Sequence, residues 1–89
     1  MISKATSDFW KEYEKLPVAV KDLAKKSFEL FKQNPAHPGL QYKKVNNDPL
    51  VYSVRVSLSY RSLGVKDGDT IIWFWIGDHD SYDKLIRSL

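Results

Sequence analysis

Ile71-Ile72-Trp73-Phe74-Trp75-Ile76 puts six large apolar side chains in succession. The run is far short of the roughly 20 residues that cross a bilayer. It also lacks the apolar–polar alternation of a strand with one wet face. It predicts a central strand covered on both sides, so the rest of the chain must supply a layer for each face.

The flanking residues say how this strand is entered and left. Asp67-Gly68 lies just before it. That dipeptide predicts a two-residue hairpin turn of type I′, which needs positive φ at both central positions. The register that follows sets Val65 opposite Thr70, Leu63 opposite Ile72 and Arg61 opposite Phe74. On the other face Ser62 meets Trp73 and Tyr60 meets Trp75. Upstream, residues 49–58 alternate, with Tyr52, Val54, Val56 and Leu58 on one face and Ser53, Arg55 and Ser57 on the other. Residues 46–48 read as a turn and residues 40–45 as a further strand. Residues 2–6 give a weak signal for a first strand.

Two helices are expected near the N-terminus. Ser7 or Asp8 fits an N-cap, and Phe9, Tyr13 and Leu16 fall on one helical face. Pro17 suits the first turn of a second helix. Its apolar stripe is Val20, Leu23, Ala24, Ser27 and Phe31, widened by Phe28 and Leu30, and it ends near Asn34 before Pro35. The short connection predicts an antiparallel hairpin. After the apolar strand, Asp78 fits an N-cap, and Tyr82, Leu85, Ile86 and Leu89 recur at helical spacing. His79 shares that stripe, so His79 and Tyr82 are expected to point inward while Asp80 and Asp83 lean away. The order predicts an α+β fold: an N-terminal helical hairpin packed on a small antiparallel β-sheet, with a short C-terminal helix. With 89 residues the chain is read as one domain, 1–89.

Composition excludes several classes. Cysteine is absent and there are two histidines, which argues against a disulfide framework and a tetrahedral zinc site. No phosphate loop, nucleophile elbow or HExxH motif is found, so no cofactor or metal is expected. The N-terminus has no signal-peptide core and no membrane association is read; a cytoplasmic location is expected. Residues 1–61 carry eleven Lys/Arg against six Asp/Glu, whereas residues 62–89 carry three against five. The basic part fits an acidic partner such as RNA or an acidic peptide, or simply a solvated lysine-rich helix face.

His37, between Pro35 and Pro38, reads as a loop histidine. Arg55, flanked by Ser53 and Ser57, fits bidentate phosphate contacts; an arginine pairing with a carboxylate across the sheet fits the spacing equally well. Arg61, beside apolar neighbours, needs a rim position or a partner, and reads as a functional cation or as the partner of a C-terminal aspartate. Lys43 and Lys44 alternate, so only one shares a face with Arg55.

Four stretches together carry a resemblance: FWKEYEKLP, NPAHPGLQYKKV, YSVRVSLSYRSL and IIWFWIGDHDSYDKL. The chain resembles the RelE/ParE superfamily of toxins from bacterial type II toxin–antitoxin systems, in order and over nearly its whole length. The resemblance implies one of two activities. RelE-like members cleave mRNA, typically within the ribosome, and ParE-like members poison DNA gyrase without catalysis; a member retained as a non-toxic interaction module is a third possibility. It also implies a cognate antitoxin wrapped across the toxin, docked on the helical hairpin or on the partly covered face of the sheet. Carried over residue by residue, Arg55 and Arg61 match the strand arginines and would stabilise charge on the phosphate. His79 matches the acid or base, Tyr82 would stack on a base or donate a hydrogen bond, and Lys43 or Lys44 would support RNA binding. The aspartates Asp78, Asp80 and Asp83 crowd that corner and oppose a phosphate there.

Overall fold

The structure, a computed structural model, describes residues 1–45 and 48–89, with residues 48 and 49 described only as part of their strand. The turn read over residues 46–48 falls on 46 and 47, outside the described residues, and Asp48 already belongs to a strand. The elements are β1 (Ile2–Ala5), α1 (Ser7–Glu14), α2 (Val18–Gln33), β2 (Lys43–Val45), β3 (Asp48–Ser57), β4 (Tyr60–Asp67), β5 (Thr70–Asp78) and α3 (His79–Arg87). They make one five-stranded sheet in the order β1-β5-β4-β3-β2. This is the expected α+β arrangement, with one difference: β1 pairs parallel to β5 and the other pairs are antiparallel.

α1 is capped by Thr6 instead of Ser7 or Asp8: the Phe9 amide donates to Thr6 Oγ1 at 3.1 Å. Ser7 and Asp8 therefore fall in the first turn, where the Asp8 carboxylate suits the helix dipole. Phe9 meets Phe28 edge-on, and Tyr13 reaches the backbone of Lys21. The start of α1 thus lies beside the middle of α2 and its end beside the start of α2, as an antiparallel hairpin requires. Ser27 Oγ donates to the Val56 carbonyl at 3.0 Å and pins α2 onto β3. β2 begins later than Leu40, because residues 38–40 form a short 3-10 turn and Gln41 adopts a left-handed conformation. His37 has a structural role there: its Nδ1 accepts from the Gly39 amide at 3.1 Å.

The apolar strand β5 is covered on both faces. Ile71, Trp73 and Ile76 face α1 and α2, in a core with Phe9, Tyr13, Ala24, Phe31, Val54 and Val56. Phe74 and Trp75 face the other way, against Val45, Val51, Leu63 and Tyr82. Two neighbouring residues share the second face because a bulge interrupts the β4–β5 ladder: Gly64 pairs with Trp73 but Leu63 pairs with Trp75. Glycines make room for the two indoles. A Cβ on Gly64 would come within 2.8 Å of the Trp73 ring, and one on Gly77 within 2.5 Å of the Trp75 ring.

The β4–β5 register differs from the expectation. The turn centres on Gly68-Asp69, with Asp67 opposite Thr70. Gly68 has φ 60°, and Gln41 is the only non-glycine with positive φ among the described residues. Glycine at the first central position is the type II′ pattern, not I′. Val65 therefore pairs with Ile72, and past the bulge Ser62 pairs with Ile76, Arg61 with Gly77 and Tyr60 with Asp78. Arg61 is thereby moved away from Phe74, toward the end of β5 where α3 begins.

Candidate active site

Arg55 on β3 pairs with Arg61 on β4, and Arg61 with Gly77 on β5. Directly paired residues share a face, so the two arginine side chains leave the sheet on the same face, the one that carries α3. The next row is Lys43, Ser53, Leu63 and Trp75. Lys43 is therefore the lysine on the arginine face, while Lys44 pairs with Tyr52 on the face packed by the helices. Like charges directly opposite one another destabilise a sheet, so the arginine pair calls for a reason outside the fold.

The two arginines have different surroundings. Arg55 is half-buried and makes no hydrogen bond or ion pair with the described residues, so the cross-sheet carboxylate that its spacing equally allowed is not found. Arg61 donates from Nη1 to the carbonyls of Ser57 at 2.9 Å and Tyr60 at 3.0 Å, with a longer contact to Leu58 at 3.5 Å. It staples the β3–β4 turn. Burial lowers its pKa, the Arg55 charge adds to that, and Tyr82 and Asp83 oppose it; a guanidinium remains charged throughout. The opposing influences place Tyr82 and Asp83 near this cation.

The stapled turn in turn holds the start of α3. The His79 amide donates to the Ser59 carbonyl at 2.8 Å. Asp78 caps α3, accepting from the Ser81 amide at 2.7 Å, and that bond holds its carboxyl pKa below the ordinary value. His79 is not inward-pointing as its place on the stripe suggested: its side chain is 47% exposed, and Nδ1 lies 3.2 Å from Asp83 Oδ2. Asp83 correspondingly turns toward the site instead of away. Tyr82 is buried, with its ring 6.0 Å from His79 and 6.5 Å from Trp75. Without an open ring face it is poorly placed to stack on a base; the hydroxyl is its useful part. The three aspartates therefore act differently: Asp78 caps, Asp83 pairs with His79, and Asp80 is exposed in the first turn.

Two arginines, an imidazole and a phenol at one corner of the sheet form a set able to bind a phosphodiester and move protons around it. The sequence sets Trp75 opposite Tyr60 and reads Asp83 only as a repelling charge. Trp75 was hidden by the bulge, but His79 and Asp83 stand four apart on a helix, a spacing that brings side chains together. Among the described residues no three of His, Asp and Glu are grouped to hold a metal ion, and no helix is long and apolar enough to cross a membrane.

Comparison with known proteins bears on what this constellation belongs to. A chain of the RelB–RelE antitoxin–toxin complex from Methanococcus jannaschii superposes with a TM-score of 0.76 at 20% identity, over 92% of this chain and 96% of that one. The RelBE2 toxin–antitoxin complex of Mycobacterium tuberculosis gives 0.72 at 17% identity, covering 88% and 96%. The isolated E. coli RelE toxin gives 0.66 at 18% identity, covering 99% and 98%. Likeness at these identities speaks for the fold. No curated protein matches in sequence. The model of the ParE-like toxin domain matches residues 19–84, from the first turn of α2 through the whole site to the middle of α3. On that match this chain belongs to the ParE-like toxin domain family, within the RelE/ParE toxin superfamily that its motifs resemble.

Proposed function

We propose that the chain is the toxin of a type II toxin–antitoxin system and an endoribonuclease of RelE type that cleaves mRNA. The observation that carries this reading is Arg55, a half-buried cation with no hydrogen bond or ion pair among the described residues, set directly against Arg61, whose charge feels Tyr82 and Asp83 at the start of α3. A sheet that keeps two arginines opposed at a cost to its own stability fits an anionic ligand. RNA supplies one, and its cleavage needs no redox partner. A base takes the 2′-hydroxyl proton, the 2′-oxygen attacks phosphorus, the P–O5′ bond breaks, and an acid protonates the 5′-oxygen. Arg55 and the free edge of Arg61 stabilise the phosphorane charge. His79 moves a proton, the Tyr82 hydroxyl supports it, and Lys43 holds the backbone of the RNA. Lys44, on the other face, contributes only to the general positive field.

A cognate antitoxin is the expected protein partner. An open groove of about 700 Å³ lies between α1, α2 and the outer edge of β1, floored by Phe9, Phe28 and Trp73 and edged by Lys4, Lys25 and Lys32. Trp10, 51% exposed, stands at its lip. An amphipathic segment with acidic flanks fits such a surface.

Induced expression of wild type and Arg55→Ala in bacteria, with mRNA cleavage and DNA damage measured separately, tests the activity. Cleaved transcripts that disappear with Arg55→Ala support it. Double-strand breaks with intact mRNA would replace it with DNA gyrase inhibition, the alternative favoured by the ParE-like description of the matched family. Growth without any effect would leave an interaction module.

A further inference from the structure

The contact of His79 Nδ1 with Asp83 Oδ2 is the one histidine–carboxylate or lysine–carboxylate contact among the described residues that sits at the candidate site; the other three are lysine–glutamate pairs on α1, α2 and their connection. Its polarity is wrong for stabilising a helix. A basic group at the first position of α3 would, when protonated, meet the positive end of the dipole, and an acid four residues before a base is better than the reverse. Asp78 and Asp80 already complement that end. The pair therefore calls for another explanation.

His79 is also fixed unusually well for a half-exposed side chain. Its amide is tied to Ser59, in the turn that Arg61 staples. Its ring lies against Tyr82, and its Nδ1 faces Asp83 at 3.2 Å. The remaining charged groups around this corner are Asp78, engaged in capping, exposed Asp80, Lys84, whose charge acts on Asp78, Arg87, which donates to the Asp83 carbonyl, and Arg55 and Arg61 across the sheet. A carboxylate at Nδ1 favours a proton on that nitrogen and leaves Nε2 as the atom offered to a substrate.

We propose that Asp83 is a positioning residue that forms a dyad with His79, keeping the proton on Nδ1 and presenting Nε2 for proton transfer. In its catalytic use the inference rests on the ribonuclease reading. With His79 as the acid, Nε2–H gives its proton to the 5′-oxygen as the P–O5′ bond breaks. His79 is left neutral, with its remaining proton on Nδ1 beside Asp83. This resembles the arrangement in which a carboxylate orients a histidine for acid–base work, here exposed to solvent and correspondingly weaker.

Two measurements on the purified full chain test it. Long-range ¹H–¹⁵N NMR of the neutral His79 ring reads the tautomer without reference to activity. Nδ1–H is expected to dominate in wild type and to give way to Nε2–H in Asp83→Ala. Dominant Nε2–H in wild type, or no change on substitution, overturns the dyad whether or not the protein cleaves RNA. RNA cleavage supplies the second measurement. Asp83→Ala is expected to lower kcat about three- to tenfold while KM falls or holds, since a negative charge has left the RNA site. In a His79→Gln background the same substitution is expected to change kcat by less than about twofold, because its effect passes through the imidazole. If Asp83→Ala instead raises kcat, Asp83 is only a repelling charge. Failure of wild type to cleave RNA, free or on ribosomes, overturns the ribonuclease reading, while the tautomer still decides the dyad.

Discussion

Arg55 and Arg61 occupy paired positions, carry the same charge, and are expected to affect stability in opposite directions. Methionine at either position keeps an aliphatic stem and removes the charge. Arg61→Met loses two short bonds from Nη1 to the carbonyls of Ser57 and Tyr60. A hydrogen bond to a charged group contributes about 1.5–3 kcal/mol at best. Both bonds here are only part-buried, and water replaces them to some extent, so we take about 1 kcal/mol each. Relief of the repulsion with Arg55 returns up to about 0.5 kcal/mol. The net cost is about 1.5–2 kcal/mol, which in a domain of this size lowers Tm by roughly 6–16 °C. Arg55→Met breaks no described bond and gains the same relief, so its stability is expected to match wild type or exceed it by about 0.5 kcal/mol. Urea and thermal denaturation measure both variants. Hydrogen exchange adds a local reading: the His79 amide, bonded to Ser59 in the stapled turn, is expected to exchange faster in Arg61→Met and unchanged in Arg55→Met. Both variants are expected to lose RNA cleavage. Equal stability of the two, with His79 equally protected, would refute the division of labour between them.

Asp78→Ala removes the cap of α3 and is expected to cost about 1 kcal/mol near neutral pH. Because the folded-state pKa of Asp78 is depressed, that contribution is present above its ordinary value of about 4 and lost as pH falls through the folded one. Denaturation curves of wild type and variant should therefore converge in acid, and Asp78→Asn should keep much of the cap without the pH dependence. Gly64→Ala places a methyl within 3 Å of Trp73 and Ile71, both buried, and is expected to cost about 1–3 kcal/mol by overpacking. Gly68→Ala meets no atom within 4 Å and is expected to cost about 1 kcal/mol through its positive φ alone, so Gly68→Asn should be tolerated better than Gly68→Ala in the same urea titration. Trp10→Ala loses edge contacts with Phe9 and Tyr13, so it is expected to cost about 1–2 kcal/mol of stability and to weaken antitoxin binding by about 2 kcal/mol, measured by calorimetry on the folded variant; unchanged affinity would place the antitoxin elsewhere.

Much of this protein is decided by neighbours in sequence. The stop of α2 before Pro35, the cap of α3 by Asp78 and the two-faced burial of residues 71–76 follow from local sterics, capping chemistry and side-chain periodicity, which act over one or two turns of chain. The presence of Arg55 on the face opposite Tyr52, Val54 and Val56 follows from the pleat alone. The site required distances that no local rule supplies. A glycine placed first instead of second in the β4–β5 turn slides the strands by two residues, and the bulge at Leu63/Gly64 adds another and reverses the faces. Those two events bring Arg61 opposite Gly77, beside the start of α3. The pairing of β3 with β2 and β4 then selects Lys43 over Lys44 and sets the two arginines against each other. Whether Arg61 staples a turn, and whether Asp83 faces His79 or water, depends on atoms from three separate strands and a helix meeting at one corner, and only packing of the whole chain fixes that meeting.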